Sequence, residues 1–232
     1  MMLLARRLLP LCALLLVTGA ATARAQTNSA PANPGTNQPL PKWEKEIRAL
    51  EAADRRNPPP ANAVLFAGSS TIRLWTNLAH AFPGFPVLNR GFGGSLIADS
   101  TQFADRIIIP CAPRLIVLYA GDNDLANGHP PAQVVADYQA FVRRIRAQLP
   151  ATKFCFLAIK PSPARWKIHD QAVQANAAIA AWHEPGLDFV DVYTPMLGAD
   201  GQPRPELYQP DGLHPSPAGY ELWADLIRPH LR

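Results

Sequence analysis

Cysteine is scarce in this chain: three in 232 residues, with no Cys-x-x-C pair and no His-Glu-x-x-His run. Two recurrent signatures of zinc sites are missing, so no metal is expected, and no organic cofactor either. The apolar run at residues 8–17 is too short to cross a bilayer, which needs roughly 20 residues as a helix. No internal repeat is visible. A basic surplus is also missing beyond the first 25 residues. Arg6, Arg7 and Arg24 are three of the 22 basic residues and no acid falls among them, so the remainder holds 19 basic against 18 acidic side chains. A net charge of +1 does not imply nucleic acid as a partner.

Residues 1–25 have the layout of a signal peptide. Arg6 and Arg7 precede the apolar run, and Ala23-Arg24-Ala25 offers an A-x-A cleavage site before Gln26. A secreted or periplasmic protein is expected, without a stable membrane anchor, since Cys12 lacks the residues of a lipoprotein box. Residues 26–41, rich in Pro, Asn, Thr and Ala without apolar periodicity, are expected to be a flexible leader. The rest, 42–232, is long enough for one domain with a sizeable core. Export permits a disulfide. Cys111 and Cys155 are the candidates, and the sequence leaves open whether they pair.

From residue 42 onward the pattern alternates. Trp43, Ile47, Leu50 and Ala53 recur at helical spacing up to Pro58-Pro59-Pro60. Short apolar runs of strand length follow at 64–67, 87–89, 115–120, 154–159 and 189–192. Stretches with helical spacing separate or follow them, at 71–82, 95–109, 131–149, 168–184 and 216–231. Strands apolar on both faces, alternating with helices, predict a three-layer α/β domain: a five-stranded parallel sheet covered on both sides. In such a sheet the ligand crevice lies at the carboxyl ends of the strands. Ser70, the loop Gly91–Ser95, the loop Gly121–Asp124 and the turn Asp211–His214 all fall in loops at that edge.

Those loops carry the parts of nucleophilic catalysis. A serine hydroxyl attacks only when a base removes its proton, and a neutral imidazole is suited to that. Of six histidines, His214 alone has an aspartate, Asp211, three residues before it, where a tight turn brings the carboxylate to the ring. His129 follows a strand but has no carboxylate at suitable local spacing, and reads as a solvent-exposed loop histidine. His80, His169, His183 and His230 read as surface groups. The other reading of Asp211 and His214 is a surface contact before the last helix, and that of Asn123 and Asp124 a strand-end turn.

Four blocks in order resemble those of the SGNH (GDSL-like) hydrolases, a family of esterases, lipases and carbohydrate deacetylases on a flavodoxin-like sheet. They are Gly68-Ser69-Ser70, Asn89-Arg90-Gly91-Phe92-Gly93-Gly94, Gly121-Asp122-Asn123-Asp124 and Asp211-Gly212-Leu213-His214. The resemblance implies Ser70 as nucleophile and Asp211 and His214 as its partners. It implies an oxyanion hole of the Ser70 N–H, the Gly94 N–H and the Asn123 side-chain amide, with Asp124 as loop support. The family's aspartate before the nucleophile is replaced here by Ser69.

Lys160-Pro161-Ser162-Pro163-Ala164-Arg165-Trp166 leaves the fourth strand towards the crevice, so Arg165 and Trp166 are candidates for substrate contact, with packing as the equal alternative. Short loops and no apolar lid favour small acyl groups. The expected activity is a serine esterase acting on short-chain esters, acetylated carbohydrates among them. An acyltransferase using the same site, a noncatalytic carbohydrate-binding protein and a lysophospholipase or lipase are the alternatives.

Overall fold

A computed structural model describes residues 42–232; the expected signal peptide (1–25) and leader (26–41) lie outside the described residues. Five strands run β1 Val64–Gly68, β2 Val87–Gly91, β3 Leu115–Tyr119, β4 Lys153–Leu157 and β5 Leu187–Val190. They form one fully parallel sheet in the order β2-β1-β3-β4-β5. The helices are α1 Glu44–Arg56, α2 Ser70–Arg73, α3 Leu78–Ala81, α4 Ile97–Gln102, α5 Ala104–Ile107, α6 Asp122–Ala126, α7 Pro131–Arg146, α8 His169–Ala180 and α9 Pro217–Ile227. No helix among the described residues is long and apolar enough to cross a membrane.

The strand sequences are apolar throughout because both faces are covered, and alternate residues feed separate cores. Leu65, Ala67, Ile116, Leu118, Phe154 and Phe156 pack with α1, α4, α5, α7 and α8. Val64, Phe66, Leu115, Val117, Tyr119, Cys155 and Leu157 pack on the other face, where an aromatic cluster of Trp75, Phe82, Tyr220 and Trp223 comes from α9 and the segments around α2 and α3. Cys111 belongs to the first core and Cys155 to the second, so the sheet lies between them, and both thiols are free.

The three-layer architecture matches the sequence pattern, with local differences. The stretch 71–82 forms two short helices, α2 and α3, because the chain leaves the helical path to plant Trp75 under the sheet against Phe66. The stretch 95–109 is likewise divided at Phe103, whose ring meets Phe92 edge to face at 5.8 Å. Gly121–Asp124, expected as a loop at the crevice, instead caps and opens the helix α6.

Candidate active site

The order 2-1-3-4-5 reverses direction between β1 and β3, and a crevice opens at such a switch point. Gly68 ends β1 with φ +132°, and a Cβ there would lie 1.9 Å from the Tyr119 carbonyl oxygen, so only glycine allows β1 this close to β3 as the chain turns. Ser69 follows as the N-cap of α2, and Ser70 is the first residue of that helix. Its N–H therefore has no acceptor within the helix. The two serines part here: the Ser69 hydroxyl is buried without a hydrogen-bond partner, whereas Ser70 is half-buried and faces His214.

His214 Nε2 lies 2.9 Å from Ser70 Oγ, and His214 Nδ1 lies 2.6 Å from Asp211 Oδ2. With Nδ1–H donated to the carboxylate, Nε2 is left bare to accept the serine proton. The other Asp211 oxygen accepts the N–H groups of Leu213 (2.9 Å) and His214 (3.0 Å), which fold the turn around the carboxylate. Burial would raise the Asp211 carboxyl, but the hydrogen bonds from the His214 ring and from these N–H groups outweigh it and hold the pKa at about 2. The orienting group is thus ionised over the working range of any imidazole base.

The opposite wall comes from the loops after β2 and β3. Gly94 is exposed, with φ +67°, a conformation that suits glycine. Ser95, fully buried, joins three segments: its hydroxyl donates to the carbonyls of Gly68 and Phe92 (3.2 Å each), and its own carbonyl accepts from Asn123 Nδ2 (2.9 Å). Asp124 adds a second tie, accepting the Ile97 N–H at 3.1 Å and so satisfying the start of α4. Burial pushes the Asp124 carboxyl up to about 6 against the opposing pull of that N–H and its own. From the far end, the Trp43 indole donates to the Gly93 carbonyl and its ring meets Phe92 edge to face at 5.7 Å.

Ser70, His214 and Asp211 are thus joined through their side chains, and Asn123 is tied to the Gly94 loop through Ser95. Trp166 lies flat against His169, centroids 4.2 Å apart, and remains half-exposed. Arg165 donates to Asn123 Oδ1 (2.7 Å) and pairs with Asp122 Oδ2 (3.2 Å). Lys160, missed at the sequence level, is buried behind Asn123, its ammonium 2.8 Å from the Tyr119 hydroxyl and 3.0 Å from Asp122 Oδ2. The only signal was a lysine directly after an apolar strand. Trp43 and Ser95 carried no sequence signal beyond helical spacing and membership of the Gly91–Ser95 loop.

One histidine departs from its sequence reading. His129 is half-buried rather than solvent-exposed: its backbone N–H donates to the Asp124 carbonyl (3.0 Å), and its ring Nδ1 is buried and unpartnered. Donor atoms of Asp124, His129 and Asp137 lie within 4.8 Å of one another, the one grouping among the described residues able to hold a divalent cation. Separation in sequence hid it, since Asp137 lies on α7.

An α/β sheet bearing a serine, an imidazole and a carboxylate at its switch point defines a serine-hydrolase class of protein. The model of the GDSL-like lipase/acylhydrolase family matches residues 61–222, and the chain belongs to that family, whose members are carboxylic ester hydrolases. Its fold is that of solved structures of the family. It is similar to a GDSL-like lipase from Bacteroides thetaiotaomicron (TM-score 0.67, 21% identity, 80% of this chain and 96% of that one). It is also similar to a catalytic mutant of an acetylxylan esterase from Geobacillus stearothermophilus (0.59, 16%, 74% and 94%) and a lipase/acylhydrolase from Enterococcus faecalis (0.56, 19%, 73% and 95%). Among curated protein sequences, none matches the chain.

Proposed function

We propose that this esterase cleaves short-chain acyl esters, acetylated carbohydrates among them, through a covalent intermediate on Ser70. The observation that carries the reading is the continuous chain Ser70 Oγ, His214, Asp211 at 2.9 and 2.6 Å. Ser70 Oγ bonds to the ester carbonyl carbon as its proton passes to His214 Nε2, and the carbonyl π pair moves onto oxygen. The Ser70 N–H, the Gly94 N–H and the free N–H of the Asn123 amide receive that oxyanion. Collapse expels the alcohol, which takes the proton from His214. Water, deprotonated by the same ring, then attacks the acyl-serine, and collapse breaks the bond to Ser70 Oγ, which takes the proton back from His214 as the acid leaves.

Support for a short acyl group is structural. A cavity of about 440 Å³ among the described residues, lined by residues such as Trp75, His80, Pro83 and Arg228, does not include Ser70 or His214. That cavity therefore does not extend the site for a long chain, and each methylene left in water forgoes about 0.8 kcal/mol. The acetylxylan esterase among the structural neighbours favours the same reading. Export to the periplasm or medium, on the strength of residues 1–25, fits a carbohydrate ester met outside the cytoplasm. Fluorophosphonate labelling with peptide mapping tests the proposal. Label is expected on Ser70, with loss of labelling in Ser70→Ala. Label on Ser69, or full esterase activity in Ser70→Ala, would reject it.

A further inference from the structure

The buried charges behind the oxyanion wall take no part in the proton path, yet they end on its one side-chain donor. Asp122 and Asn123 are consecutive residues at the start of α6, and Arg165, from the loop after β4, spans them: Nη2 donates to Asn123 Oδ1 at 2.7 Å while Nη1 lies 3.2 Å from Asp122 Oδ2. Asp122 is held in turn by Lys160 (3.0 Å) and by the Tyr119 hydroxyl (3.1 Å). Lys160 and Asp122 are both almost fully buried.

We propose that Arg165 is the positioning residue of the oxyanion hole, fixing the carboxamide of Asn123. This rests on Asn123 being an oxyanion donor in the reaction above. A carboxamide can sit in its rotamer either way round, and only one way serves. In the observed orientation Oδ1 accepts from Arg165 and one Nδ2–H donates to the Ser95 carbonyl, which leaves the second Nδ2–H for the substrate oxygen. Flipping the group would set the amide hydrogens against a guanidinium that cannot accept, and Oδ1 against the Ser95 carbonyl, two repulsive contacts in place of two hydrogen bonds.

The ion pairs hold the guanidinium in place: Asp122 pairs with both Lys160 and Arg165, so Arg165 is anchored on one side while it donates to Asn123 on the other. Its planar fork matters as well as its sign, because it aims one N–H at Asn123 Oδ1 while lying beside the Asp122 carboxylate in one fixed plane, a geometry that the compact, rotatable ammonium of lysine does not reproduce. The developing oxyanion is the charge this arrangement favours, and it exists only in the transition state and the tetrahedral intermediates.

Steady-state kinetics on an acetyl ester tests the proposal in Arg165→Ala, Arg165→Lys, Asn123→Ala and the Arg165→Ala/Asn123→Ala double variant. Arg165→Ala should lower kcat by roughly 10–100-fold with KM within about twofold, since the lost interaction belongs to the transition state. Added to Asn123→Ala it should cost almost nothing further, because Arg165 acts through that amide. Millimolar guanidinium should restore part of the Arg165→Ala rate and none of the double variant's. Arg165→Lys retains the charge but not the fork and should stay folded with lowered kcat, which gives an answer even if the alanine variant unfolds. A rise in KM alone would make Arg165 a substrate contact, and full additivity with Asn123→Ala would make it independent; either overturns the proposal. If Asn123→Ala itself is silent, the oxyanion assignment fails instead.

Discussion

At the scale of single residues, the site divides the adjacent serines by helix geometry: Ser69 sits buried at the N-cap position of α2 without a side-chain bond, and Ser70 opens the helix towards His214. Ser70→Ala should lower kcat/KM by roughly 10⁴-fold or more, and His214→Ala should be similarly severe. The double variant should be little worse than either, because the two act as a unit; a double variant much worse than both singles would contradict a shared step. Asn123→Ala should reduce kcat by roughly 10²–10³-fold, about 3–4 kcal/mol, with little change in KM. Steady-state kinetics on the folded variants decides all of these. Asp124 makes a different prediction. Its folded pKa of about 6 exceeds the value near 3.9 of an unfolded aspartate, so its share of stability is fully present below about pH 4 and is lost as pH rises through about 6. That loss is about 3 kcal/mol at most. Asp124→Asn retains an acceptor for Ile97 and escapes the loss. Denaturant midpoints of both proteins should diverge in favour of the variant between pH 4 and 8, and a constant difference would mean an ordinary carboxylate.

At the scale of elements, α1 belongs to the site although it lies far from it in sequence. Trp43 at its N-cap holds the Gly93 carbonyl next to the Gly94 amide. Trp43→Phe keeps the ring against Phe92 and removes only the indole donor. It should cost about 1 kcal/mol of stability and lower kcat several-fold without moving KM, readable by thermal unfolding and kinetics. The strands and long helices were legible in the sequence because nearly every side chain of a strand covered on both faces, and three to four in seven of a helix, must reach a core. What was not legible depended on partners distant along the chain. Trp75 breaks a helical stretch because Phe66, Tyr220 and Trp223 await it. Gly121-Asp122-Asn123-Asp124 has the composition of a turn, and its conversion into α6 is sealed by Ser95, Ile97 and Arg165 from two other segments. That Ser70, His214 and Asp211 would meet was legible, since Asp211 and His214 are local neighbours and the four blocks recur in order; the contact of Arg165 with an amide 42 positions away was not.

At the scale of the whole molecule, the crevice sits where the sheet reverses, and short loops leave it open. On aryl esters with one leaving group, kcat/KM should be highest from acetyl to butyryl and fall by eight carbons, because added methylenes find little apolar wall to bury against. A rise towards long chains would favour a lipase or lysophospholipase. The same sheet governs the thiols. Burial pushes both the Cys111 and the Cys155 thiol up, which disfavours the reactive thiolate, and five strands stand between the cores that hold them. Among the described residues the native state thus needs no oxidant to form and has no crosslink to lose. The enzyme should refold to full activity in strong reductant, and a bacterial host's reducing cytosol should yield it in the same active form as an oxidising compartment.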